Sequence, residues 1–88
     1  MPGIRVILSV YIESNLEEVA DALTEIPEVV DVFEVTGEAD IIAFLEADDV
    51  MQFRNILKNN ILKIPGIKST VSSVVMFVHK KDGQVVEE

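Results

Sequence analysis

Apolar residues alternate from near the start of the chain. Ile4, Val6, Leu8, Val10 and Ile12 hold every second position, the period of a strand with one buried face. The intervening face, Arg5, Ile7, Ser9 and Tyr11, is mixed, a first sign that the far side of the sheet is not simply solvent. The period then lengthens: Leu16, Val19, Ala20, Leu23 and Ile26 form one helical stripe, opposed by Glu17, Glu18, Asp21 and Glu25, an acidic face that reads as solvated surface. Ser14 is placed to cap this helix, with Glu17 completing a capping box, and Pro27 ends it. Residues 29–35 and 41–45 are β-branched and aromatic and read as a second and third strand. The polar turn Val35-Thr36-Gly37-Glu38-Ala39-Asp40-Ile41 closes them into a hairpin. Asp48 or Asp49 can cap a second helix, with Gln52 at the capping-box offset from Asp49, and the stripe Val50, Phe53, Ile56, Leu57, Ile61, Ile64 runs to Pro65-Gly66. Residues 67–79 read as the last strand, before the polar run Lys80-Lys81-Asp82-Gly83 and a loose Glu87-Glu88 end.

An internal echo supports this parsing, because Ile26-Pro27-Glu28-Val29 and Ile64-Pro65-Gly66-Ile67 occupy the same helix-to-strand junction in two successive strand-helix-strand units. With right-handed crossovers, those units predict an α+β, ferredoxin-like βαββαβ fold: a four-stranded antiparallel sheet with both helices on one face and strands one and three at the centre. Every strand nonetheless carries apolar residues on both sides, Ile7, Tyr11 and Phe33 among them. A lone chain would leave an apolar patch well above the roughly few hundred Å² that soluble monomers tolerate, so the pattern predicts a two-fold dimer packed sheet on sheet through these residues.

Composition narrows the function classes. The 88 residues, 49% of them hydrophobic, make one domain, taken as residues 1–79 with a polar tail at 80–88. A net charge of -9 opposes binding to a phosphate backbone. The absence of cysteine leaves no disulfide frame, and the single His79 has no second histidine or thiolate with which to share a metal or a nucleophile. The carboxylates fall mostly on solvated helix faces, so no acid/base pair stands out; neither an enzyme nor a metal or other cofactor is expected. The first apolar run is too short and interrupted for a signal segment or a membrane span, and a cytoplasmic location is expected.

Residues 35–41, followed by Ile64-Pro65-Gly66-Ile67-Lys68-Ser69-Thr70-Val71-Ser72, resemble the effector-binding domain of the Lrp/AsnC (leucine-responsive, feast/famine) transcription regulators over essentially the whole chain. Those regulators place a helix-turn-helix domain before this module. Here the chain starts at the first strand, which resembles the subgroup of stand-alone RAM domain proteins. The resemblance implies dimers built through the sheets, rings of four such dimers, association with full-length regulators of the family, and a small effector, usually an amino acid, bound where dimers meet. It assigns the ligand site to the Gly37, Glu38, Ala39, Asp40 turn and to Thr70 and Ser72 on the last strand. Gly37 would let a ligand approach the backbone, and Asp40 would offer a carboxylate to an α-ammonium group. One departure is Ala39, where the family commonly has an aromatic residue, so the resemblance does not carry over the pocket wall or the ligand's side-chain preference. From the residues alone, Gly37 and Asp40 are equally ordinary hairpin residues, and Asp40 could cap backbone N–H groups instead.

Other readings of the same fold order fit less well. An ACT-type amino-acid sensor would carry a D-x-x-G-type turn at the first strand-helix junction, where this chain has Tyr11-Ile12-Glu13-Ser14-Asn15-Leu16. An acylphosphatase would need an arginine phosphate cradle in that acidic loop. An interaction module that co-assembles with full-length regulators without binding ligand remains the alternative.

Overall fold

The computed structural model describes residues 3–86, so Met1-Pro2 and the Glu87-Glu88 end lie outside the described residues. The elements are β1 (Ile4–Ile12), α1 (Leu16–Thr24), β2 (Val29–Glu34), β3 (Ile41–Ala47), α2 (Val50–Ile56), a π-helical turn (Leu57–Ile61), β4 (Ile67–Val74) and the short β5 (Lys80–Lys81) and β6 (Gln84–Val85). The first four strands form one antiparallel sheet in the order β2-β3-β1-β4, with β1 and β3 central as the fold order predicts. Both helices cover one face. Val6, Leu8 and Val10 from β1 and Ile41, Ala43 and Leu45 from β3 are buried against Val19 and Leu23 of α1 and Phe53, Ile56 and Ile61 of the second helical segment. Among the described residues, no helix is long and apolar enough to cross a membrane.

Local departures from the sequence reading have tertiary causes. The Ser14–Glu17 capping box does not form: Asn15 takes the N-cap position in the left-handed conformation (φ 63°), with no side-chain cap bond. The N–H groups of Glu13 and Ser14 both turn to the Gly66 carbonyl, which ties this loop to β4 instead. Asp49 does cap α2, accepting the Gln52 N–H, while the Gln52 side chain accepts the Asp48 N–H. Val50, placed on the apolar stripe, is exposed. Beyond Ile56 the helix widens, with Leu62 N–H donating to Leu57 O. In a regular α-helix Asn60 would follow Ile56 on the same face; the added residue of the π turn puts fully buried Ile61 there.

The last strand is shorter than predicted. It ends at Val74 rather than His79: the last ladder pair against β1 is Val6 opposite Val74, Val75 N–H makes one further bond, to Arg5 O, and the chain then leaves the sheet edge before β1 has run out at Ile4. Residues 80–86, expected as a tail, fold back as a hairpin whose loop residues Asp82 and Gly83 both have positive φ, the geometry that suits a two-residue turn.

Candidate functional site

The hairpin turn is closed by Val35 N–H donating to Asp40 O at 3.0 Å. Gly37 has φ +114°, and a Cβ built there would meet nothing within 4 Å, so backbone conformation rather than crowding favours glycine. At the other end of the turn Asp40 is bonded twice to β1. Its N–H donates to Val10 O at 3.0 Å, and its carboxylate Oδ2 accepts the Ile12 N–H at 2.8 Å. The second contact has a structural cause. The β1–β3 ladder ends at Val10 opposite Ile41, and alternate residues of a strand present their N–H and C=O to the same neighbour, so the Ile12 N–H still points toward β3. Asp40 supplies the missing acceptor, the capping role open to it from the sequence.

On the other side of β1, Gly66 O accepts from Glu13 N–H at 2.7 Å and Ser14 N–H at 3.3 Å. Gly66 has φ +105°, and a Cβ there would lie 2.2 Å from Ser14 O, so here glycine is required by both conformation and space. The end of β1 is thus clipped on one edge by a carboxylate and on the other by a carbonyl.

Thr70 and Ser72 stand opposite Val10 and Leu8, which puts them on the helix-covered side of edge strand β4. Thr70 is half-buried and Ser72 exposed. The two parts of the predicted site therefore share one end of the sheet but lie on opposite sides of β1, two strand spacings or about 9–10 Å apart. Hollows of about 600 Å³ and 1000 Å³ both border Arg5 and Glu46, whose side chains form an exposed 3.5 Å ion pair, and lie away from the turn.

The predicted interface residues do share the uncovered face. Ile7 sits opposite Phe44 and Ser73, Tyr11 opposite Ser69, and Phe33 opposite Ile42, with the Phe33 and Phe44 rings edge to face at 5.9 Å. Phe33 and Phe44 are 49% and 37% exposed. Sequence reasoning did not single out Phe44, because the unbroken apolar run 41–45 hides which residues face out. Ile12 left no signal at all, since its role lies in a main-chain N–H.

Residues 4–85 match the family described as Lrp/AsnC ligand binding domain. The chain is 34% identical over 64 residues to the HTH-type transcriptional regulator FL11 of Pyrococcus horikoshii, covering 73% of this chain and 42% of that protein. It is 36% identical over 76 residues to a homocitrate synthase of Sulfurisphaera tokodaii, covering 84% of this chain and 16% of that enzyme. It thus spans less than half the length of these curated relatives. The crystal structure of the transcriptional regulator NMB0573 from Neisseria meningitidis, a complex with L-Met, matches with a TM-score of 0.86 at 24% identity, covering 96% of this chain and 56% of that one. At that identity the likeness speaks for the fold.

Proposed function

The chain belongs to the Lrp/AsnC ligand-binding family, and from that premise we propose that it is a regulatory sensor of a small effector of the amino-acid class. The observation that carries this reading is the family match over residues 4–85, which takes in both the Gly37–Asp40 turn and the Thr70–Ser72 stretch. The complex of a fold neighbour with L-Met makes amino acids the first class to test. Because Asp40 and Thr70 flank β1 about 9–10 Å apart, one amino acid does not bridge them within a protomer. The ammonium group pairs with the free lone pairs of Asp40, and the polar residues of β4 come from a neighbouring protomer.

In this reading the protein is not an enzyme. It acts on transcription through assembly, as sheet-packed dimers and rings of dimers, and through association with full-length regulators of its family. A net charge of -9 argues against direct contact with DNA. A thermal-stability screen against the twenty amino acids tests the proposal, since a ligand that binds only the folded state adds about 2.7 kcal/mol at a hundredfold excess over Kd. A flat screen favours the module that co-assembles without a ligand.

A second reading is favoured by the match to a segment of an enzyme. Here the same sensor acts on an enzyme rather than on a DNA-bound regulator. Co-sedimentation with a full-length Lrp/AsnC regulator supports the first reading; its absence supports the second.

A further inference from the structure

Beyond Val75 the chain leaves the sheet edge and borders the open face, with Phe77 packed edge to face on His79 at 4.7 Å between ring centroids. Between this segment and the sheet lies a gap of about 1000 Å³, lined by Ile7, Phe33, Phe44, Val75 and Phe77 among others. Aromatic side chains bordering such a gap lose dispersion contacts on one side and face water instead. Phe77 is 52% exposed and Met76 is 94% exposed, on a segment whose hydrogen bond to the sheet, among the described residues, is the one from Val75. From the exposures of Val30, Phe33, Phe44, Val71 and Phe77, these five side chains leave on the order of 500 Å² in water, near the upper end of what monomers carry, before half-buried Ile7, Tyr11 and Ile42 are added.

Charge identifies the occupant. Arg5, Lys80 and Lys81 border the same gap as Asp31, Glu46 and Asp82, three cations against three carboxylates on a chain of net -9. Two copies repel through their acidic helix faces, whereas this rim is locally neutral and carries both signs, as a self-complementary two-fold contact requires. We propose that residues 75–86 form a clasp between two copies of this chain: Met76 and Phe77 of one copy fill the gap over Ile7, Phe33 and Phe44 of the other, and Lys80 and Lys81 meet Asp31 and Glu46 of the partner subunit. The clasp rests on the sheet-packed dimer proposed above and adds the part of it that the strands alone do not supply.

The chain has no cysteine, so introduced cysteines report single contacts. Full-length Phe77→Cys and Phe33→Cys chains, mixed and oxidised with copper phenanthroline, should give mixed disulfide dimers in several-fold excess over the control mixture of Phe77→Cys with Glu18→Cys, which lies on the outer face of α1. Equal yields overturn the proposal, as does a chain carrying both Phe33→Cys and Phe77→Cys that bridges internally as a monomer. Independently, Phe77→Glu should raise the dimer dissociation constant in sedimentation equilibrium at least tenfold with an unchanged far-ultraviolet spectrum. A dimer indifferent to Phe77 removes the clasp alone; a wild-type monomer removes the sheet-packed dimer with it.

Discussion

Asp40 and Ile12, 28 positions apart, are joined by a 2.8 Å bond from the Ile12 N–H to the Asp40 carboxylate. One residue of the candidate ligand site is therefore also a structural clip, and a substitution there has two consequences that must be separated. Asp40→Ala removes the acceptor and should cost about 1–3 kcal/mol of stability, the penalty for a part-buried N–H left without a partner. Asp40→Asn retains a carbonyl oxygen and should cost less than half as much. Urea denaturation of the three proteins measures the difference.

The two turn glycines should respond differently. Gly66→Ala meets Ser14 O at 2.2 Å as well as an unfavourable φ, whereas Gly37→Ala has only the φ of +114° to overcome. The first should lower the melting temperature severely. The second should cost about 1 kcal/mol, on the order of 4–8 °C for a domain of this size. Calorimetric melting of both variants checks the order.

The open face should govern assembly. Ile7 lies between Phe44 and Ser73 in the centre of that face, and a charge there has no partner once the face is covered. The wild type should sediment as a dimer or larger, and Ile7→Asp should shift it toward a 9.8 kDa monomer. Analytical ultracentrifugation at micromolar concentration provides the test.

Binding to duplex DNA should be absent at physiological ionic strength. Fluorescence anisotropy of labelled duplexes should stay flat on titration with the protein; salt-sensitive binding would show direct contact with the phosphate backbone instead.

The core was legible in the sequence because one local period suffices for it: the even positions of β1 and the stripe of α1 supply buried Val6, Leu8, Val10, Val19, Leu23 and Ile26, with Ile4, Ile12, Leu16 and Ala20 partly buried against them. What stayed hidden depended on register. Ser14 and Glu17 form a sound capping pattern, yet the Gly66 carbonyl, far along the chain from both, draws the backbone of Glu13 and Ser14 into another geometry. β4 stops where its pairing with β1 stops, at Val6 opposite Val74, although residues 75–78 are apolar enough to continue a strand. In the candidate site, Gly37 and Asp40 were legible as residues of a turn. That Asp40 reaches Ile12, and that Thr70 lies across β1 from it, follow from pairings between strands, which composition and spacing do not encode.

The central claim, that the Gly37–Asp40 end of this fold senses an amino acid, is tested most directly by titration calorimetry of the wild type and Asp40→Asn with the amino acid that raises the melting temperature most. Oligomer size is measured on the same samples. A charge-assisted bond between Asp40 and the ammonium group predicts that Asp40→Asn weakens binding by about 1.5–3 kcal/mol, roughly tenfold or more, with assembly unchanged. Equal affinities at equal oligomer size, or no heat from any of the twenty amino acids, would contradict the account and leave Asp40 solely as the clip on Ile12.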